Sequence, residues 1–203
     1  MTTNLYGSII DDDDVHNAVI AFLKKWLHPY LAETFRRKEL DFPSWEDAEF
    51  SYLNSKSLDT WPETGLPACV VFVPAAQDIE MEGDGTWTAV FPVGLGIVVS
   101  STSQDNTRLL LSAYMSAVKL AFLQHRSMDG FAETLTWRGD DYDVMAFEDE
   151  KTIQAGIITL NITVSGVANS NSGPSTPPTD PQIDPGPFGL VQTVDIDVEE
   201  LPA

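Results

Sequence analysis

The residues of this chain best suited to chemistry are carboxylates, in two groups: Asp11 to Asp14, and Asp140, Asp141 and Asp143 with Glu148, Asp149 and Glu150 nearby. A convergent pair of acids performs glycoside-type hydrolysis, and a convergent set of oxygens holds calcium. Hydrolysis needs one carboxyl group with a raised pKa inside a cleft, and the sequence offers no sign of one. With 31 acidic residues in 203, clusters arise by chance, and the second group reads as solvated loop. The first group precedes an apolar series of helical spacing, where aspartates cap the helix and complement its dipole. Consecutive aspartates point in different directions and do not converge on an ion.

The other reactive types are sparse. His16, His28 and His125 are isolated, with no second His or Cys at ligand spacing, so zinc is not expected. His125, at the end of a helical pattern, reads as a dipole complement. Cys69 is the single cysteine; it excludes an internal disulfide framework, and in the run Ala68–Val73 it reads as a buried structural thiol. No Gly-x-Ser-x-Gly elbow, P-loop or Cys-x-x-Cys is present, and Gly94–Leu95–Gly96 lacks the third glycine of a dinucleotide fingerprint. Arg138–Gly139–Asp140 spells an adhesion tripeptide but is expected to form a hairpin turn. The expectation is a protein that is not an enzyme and uses no cofactor and no metal.

Those residues must be positioned by a chain of 43 % hydrophobic residues, an ordinary globular content, with 11 basic residues against the 31 acidic and a net charge of −20. Such a surface repels nucleic acid phosphates and anionic membranes. Five of the positive charges (Lys24, Lys25, Arg36, Arg37, Lys38) fall in one early segment, and none follows Lys151. No signal peptide and no apolar run of membrane-spanning length is visible, so the expectation is a soluble protein.

Val15, Ala18, Val19, Phe22, Leu23, Trp26, Leu27, Tyr30 and Leu31 recur at three and four residues, which predicts a helix. Pro29 is expected to kink or divide it near His28. Residues 39–67 lack periodicity; Trp45, Tyr52 and Trp61 are expected to fold this connection onto the core. Ala68–Val73, the alternating acidic stretch from Asp78 to Glu82, a turn at Gly83–Asp84–Gly85, and Trp87–Ser100 read together as a long β-hairpin. Phe91, Val93, Leu95, Ile97 and Val99 share one face. Pro92, Gly94 and Gly96 share the other, pointing to an edge, a bulge or a close backbone approach. Asp105 or Asn106 is expected to cap a second helix running to about His125. Two strands, near Glu133–Arg138 and Tyr142–Phe147, are expected around a turn at Gly139–Asp141, and a long strand from Thr152 to Gly166 closes the domain.

The predicted fold class is α+β: a mostly antiparallel sheet of four to five strands on two main helices, with a C-terminal extended arm. The predicted division is a domain over 1–167, a Pro-rich tether over 168–189, and an acidic β-like arm over 190–203. The tether holds six prolines and cannot support a packed core. In the arm, Val194, Ile196 and Val198 alternate with Asp195 and Asp197. A lone strand of that length cannot bury its apolar face unaided and needs a sheet edge, on its own domain or on a neighbour.

The order helix, long loop, β-hairpin, helix, β-hairpin, with segments such as Trp87–Ser100 and Leu109–His125, resembles the tail terminator proteins of long-tailed bacteriophages. The resemblance covers about Ile9 to Val167. It implies a sheet against two helices, assembled as a homohexameric ring at the junction of tail and head, after assembly in the host cytoplasm. It also implies tail tube subunits and a head–tail connector or stopper protein as partners, DNA only as passing cargo, and no membrane. No catalytic residues belong to that family. The long 39–67 connection and the C-terminal arm depart from its compact pattern.

A ring that passes DNA should present carboxylates inward, because cations would hold the phosphates. Asp78, Glu80 and Glu82 are therefore the expected lumen or tube-facing residues. Val194, Ile196 and Val198 are the expected contact of an inter-subunit arm. The alternatives are a head–tail stopper or completion protein, a small acidic hydrolase or calcium-binding module, and a cellular protein adapted to high salt.

Overall fold

The computed structural model describes residues 9–53, 66–148 and 151–169. Helix α1 spans Asp12–Arg37. It begins in a capping box, with Asp11 Oδ1 accepting from the Asp14 backbone N–H at 3.0 Å and the Asp14 carboxylate accepting from Asp11 N at 3.2 Å. Such a cap is worth about 1 kcal/mol. The expected division at Pro29 does not occur: the helix runs through it undivided. Val15, Val19, Phe22, Leu23 and Leu27 before the proline, and Leu31 and Phe35 after it, are buried in the same core. Burial of side chains on both sides outweighs the one backbone bond that Pro29 cannot make.

After α1, Ser44 caps a single helical turn, α2 (Trp45–Ala48), and three residues form β1 (Ser51–Leu53). Strands β2 (Ala68–Phe72), β3 (Gln77–Met81) and β4 (Thr86–Ser101) follow. Helix α3 covers Gln104–Gln124, and the long hairpin β5 (Thr134–Glu148) and β6 (Lys151–Asn169) comes last. The fold is α+β, as expected, with a mixed sheet of six strands where four to five were predicted. The main path is β1-β2-β4-β6-β5, and β3 pairs with β4 beside β2. The extra strand, β1, is parallel to β2 and too short for its alternation to show in the sequence.

Three further expectations are corrected. The segment Thr134–Glu148 is one strand, not two around a turn; bulges between Trp137 and Gly139 and between Val144 and Ala146 absorb the Gly–Asp–Asp sequence. Arg138–Gly139–Asp140 therefore lies at a bulge and not in a hairpin turn. The cap of α3 is Ser103, whose hydroxyl accepts from Asn106 N at 3.3 Å, while Asp105 sits in the first turn. Strand β4 is central and not an edge, yet Pro92 falls between the end of β2 (Phe72 opposite Gly94) and the start of β3 (Gln77 opposite Val90). The proline thus occupies the one interruption in pairing on that side of β4.

Both helices cover one face of the sheet. Phe91, Val93, Leu95, Ile97 and Val99 of β4 and Ile158, Leu160, Ile162 and Val164 of β6 point toward them and are buried. Phe22 of α1 stacks on Phe122 of α3 with centroids 4.7 Å apart. The Tyr114 hydroxyl donates to the Ala48 carbonyl at 2.9 Å, tying α2 to α3. Burial pushes the Tyr114 hydroxyl pKa up. Trp45 and Tyr52 pack on the core as expected, and Trp61 lies outside the described residues. Cys69 is fully buried, which pushes its thiol up to about 12, the behaviour of a structural thiol. Gly156 admits the end of Met115: a Cβ there would lie 2.9 Å from the Met115 sulfur.

Candidate functional site

Among the described residues, the opposite face of the sheet carries no helix. Its two longest strands present it without charge: β4 has no ionisable side chain, and β6 has none from Thr152 to Ala168. On this face Phe72, Gly94 and Thr159 lie in one row, and Val70, Gly96 and Ile157 in the next. Phe72 and Ile157 are exposed. The two glycines leave a shallow trough of bare backbone between the flanking side chains.

At one end of this face stands the β3–β4 hairpin. Its turn is closed by the Glu82 N–H donating to the Thr86 carbonyl at 2.8 Å and by Asp84, whose Oδ1 accepts from Thr86 N at 2.9 Å and from the Thr86 hydroxyl at 2.6 Å. These bonds hold the Asp84 carboxyl below its usual value. Every residue of β3 is exposed. Register assigns the faces: Met81 is opposite Trp87, which packs on the core, and Glu80 is opposite Thr88. Met81 and Ile79 therefore lie on the helix side of the sheet, and Glu80 and Glu82 on the helix-free side. Ile79 and Met81 are 57 % and 60 % exposed, so this edge continues the core layer with none of the described residues covering it. Asp78, at φ 47°, sits within a register shift of β3.

The three carboxylates singled out in the sequence, Asp78, Glu80 and Glu82, are thus gathered on one exposed hairpin. Val194, Ile196 and Val198 lie outside the described residues. The acidic group at 140–150 does not converge where it is described. Asp140 pairs with Lys119 at 2.7 Å on the helix side, whereas Asp141 faces the other way, its Oδ1 accepting from Tyr142 N. No group of three or more His, Cys, Asp or Glu suited to a metal ion occurs among the described residues.

A second polar cluster joins α1 to the end of α3, and sequence reasoning missed it. The Trp26 ring stacks on His125 at 3.9 Å, and the Tyr30 hydroxyl lies 2.9 Å from both Gln124 Oε1 and His125 Nε2. The Asp129 carboxylate accepts from Lys25 Nζ at 2.8 Å and Trp26 Nε1 at 3.0 Å. Those donors, Lys25 first, hold Asp129 below its usual value. Met128, Asp129 and Gly130 all have positive φ, which aims Asp129 back at α1. Each polar group is spent on a neighbour, so the cluster clamps the seam between the helices. Asp129 lies 104 residues from Lys25 and 103 from Trp26 in sequence, and no local pattern announces such a contact.

The far edge of the sheet, β5, was also missed as a surface. Trp137 is 44 % exposed on the helix side, with the Lys119 ammonium 5.4 Å from its ring centroid. Arg138, beside it, has no ion-pair partner among the described residues. No helix of the described residues is long and apolar enough to cross a membrane. No protein-family model matches the chain, and no curated protein matches its sequence.

Proposed function

We propose that this chain is a structural protein of a bacteriophage virion, a tail terminator. It forms a ring, a homohexamer by the family pattern, on the head-proximal end of the tail tube, ends tube growth there, and offers the head connector a docking face. The observation that carries the reading is the helix-free face, uncharged across β4 and residues 152–168 of β6 and bordered by the acidic hairpin. A lumen wall of that composition lets DNA pass, because it presents no cation to hold phosphate. The bare apolar edge at Ile79 and Met81 supports assembly, since a chain folded for solitary life would cover it. The protein acts by surface complementarity, without catalysis or cofactor.

Purified protein added to polymerising tail tube subunits should stop elongation and appear as one ring at a single tube end by electron microscopy. Tubes of unaltered length with no cap would sink the reading. Binding to a portal-side ring in place of the tube would identify a head–tail completion protein instead. Replacing Asp78, Glu80 and Glu82 by lysine should leave ring mass unchanged while lowering DNA delivery; normal delivery would remove these three from the lumen.

A further inference from the structure

We infer that the open edge of β5 at Thr134–Arg138 is the seat of the C-terminal segment Val194–Val198 of a neighbouring copy. The inference rests on the ring reading for the neighbour, and on the following observations for the seat.

The sheet ends at β5, so its outer backbone N–H and C=O groups have no strand to pair with among the described residues. Between Thr134 and the bulge after Trp137 the strand is regular, and regular strand is what an added strand needs. Register assigns its faces. Leu135 is opposite Ile162 and Trp137 opposite Leu160, both on the helix side, so Thr134 and Thr136 lie on the helix-free side. The segment from Val194 to Val198 has the matching alternation: three β-branched apolar residues on one face, two aspartates on the other. Laid beside β5, its apolar face extends the layer of Leu135 and the half-exposed Trp137. Its aspartates then meet two threonine hydroxyls, and Arg138, which has no ion-pair partner among the described residues, stands at the bulge next to them.

The hairpin edge at β3 is the poorer seat. Asp78, Glu80 and Glu82 would face Asp195 and Asp197, and like charges directly opposite destabilise a strand pair. The length of chain also fits. Strand β6 ends at Asn169, and the chain from there to Val194 is long enough to reach a neighbour, at most roughly 80 Å by its residue count. The net charge of −20 favours a neighbour's arm over a simple patch contact. Copies so charged repel each other, and backbone pairing supplies attraction that does not depend on side-chain charge.

The test uses the full chain and two variants. One disables the arm, Val194→Asp with Ile196→Asp and Val198→Asp. The other disables the seat, Thr134→Asp with Thr136→Asp and Arg138→Glu, all at exposed positions. Light scattering gives the mass, against 22.3 kDa for one chain, and amide exchange reports protection of residues 134–138. The wild type should assemble with that edge protected. Each variant alone should fall apart or assemble at least about tenfold more weakly. An equimolar mixture, holding one live arm and one live seat, should give a pair of chains. Assembly that survives both variants overturns the seat while leaving the ring reading intact. A wild-type monomer with a protected edge assigns the arm to its own sheet and overturns the neighbour. A wild-type monomer with an unprotected edge, bare also in the presence of tail tubes, overturns both readings.

Discussion

The two halves of strand β4 are written alike and meet unlike neighbours. From Phe91 to Val99 its alternate residues are buried beneath the helices. From Thr86 to Val90 it is half of a hairpin whose other strand is exposed on both faces, apolar Ile79 and Met81 included. The same alternation therefore marks a finished core at one end and an unfinished one at the other. Hydrophobic pattern states which face should be covered; it does not state whether the cover belongs to the same chain. That difference separates residues that hold the fold from residues kept for assembly, and each can be altered alone.

The largest contrast should come from truncating residues that lie beside each half, Leu160 of β6 opposite Val93 and Met81 of β3 opposite Trp87, with Ile79. Leu160→Ala opens a cavity in the core and should cost about 2–5 kcal/mol in urea unfolding. Ile79→Ala with Met81→Ala should change the stability of the unassembled chain by no more than about 0.5 kcal/mol, the usual range for surface positions. Equal losses would mean that the hairpin is part of the core after all.

Filling space should separate the faces of the sheet in the same way, less strongly. Gly156→Ala sets a Cβ against Met115 and 3.2 Å from the Asp141 carbonyl, and should cost about 1–3 kcal/mol by overpacking. Gly94 and Gly96, on the helix-free face, have only ordinary contacts of 3.7–3.9 Å to Phe72 and Val70. Alanine there should be tolerated by the isolated chain. A destabilised Gly94→Ala would show that this face is not open space.

Removing a single buried donor should act next. Tyr114→Phe leaves the Ala48 carbonyl without its partner and should cost about 1–2 kcal/mol. Unchanged stability would mean that α2 is not anchored by this bond.

The sequence was legible where one face meets one core. The periodicity of α1 and the alternation of β4 and β6 named their buried residues; in α3, by contrast, Leu109 is 44 % exposed while Leu111, Tyr114 and Met115 are buried. It was illegible where tertiary contact overrode a local rule. Pro29 reads as a break until Leu31 and Phe35 are seen to share a core with Leu23 and Leu27. Gly139–Asp140–Asp141 reads as a turn until Asp140 is seen paired with Lys119 and the extra residue taken up in a bulge. Of the candidate surface, the acids Asp78, Glu80 and Glu82 were visible as a pattern. The bare apolar partners Ile79 and Met81 were visible only as letters, since exposure is a property of what lies above them. Trp137 and Arg138 were placed at the end of a strand, and the turn wrongly set after them hid that the strand runs on through them.

The smallest effect concerns cations, and it sharpens the same division between spent and available groups. Arg36 and Arg37 both bond Glu33, at 2.8 and 2.7 Å, so this end of α1 is satisfied within the chain, whereas Arg138 has no ion-pair partner among the described residues. The Arg36 bond first, then that from Arg37, lowers the Glu33 carboxyl from its ordinary 4.5 to about 2. A carboxyl lowered on folding stabilises the folded state above its unfolded pKa, and the contribution fades as pH falls through the folded value. Wild type should therefore exceed Glu33→Gln slightly in stability above pH 4.5, and the gap should close as pH falls toward 2. The group is exposed, so the gap should also shrink with added salt. Assembled mass should be the same for both proteins, because freeing these two arginines neither creates nor removes a seat. If Glu33→Gln changed the mass as Arg138→Glu is expected to, the end of α1 would join the assembly surface, and the division between spent and available cations would fail.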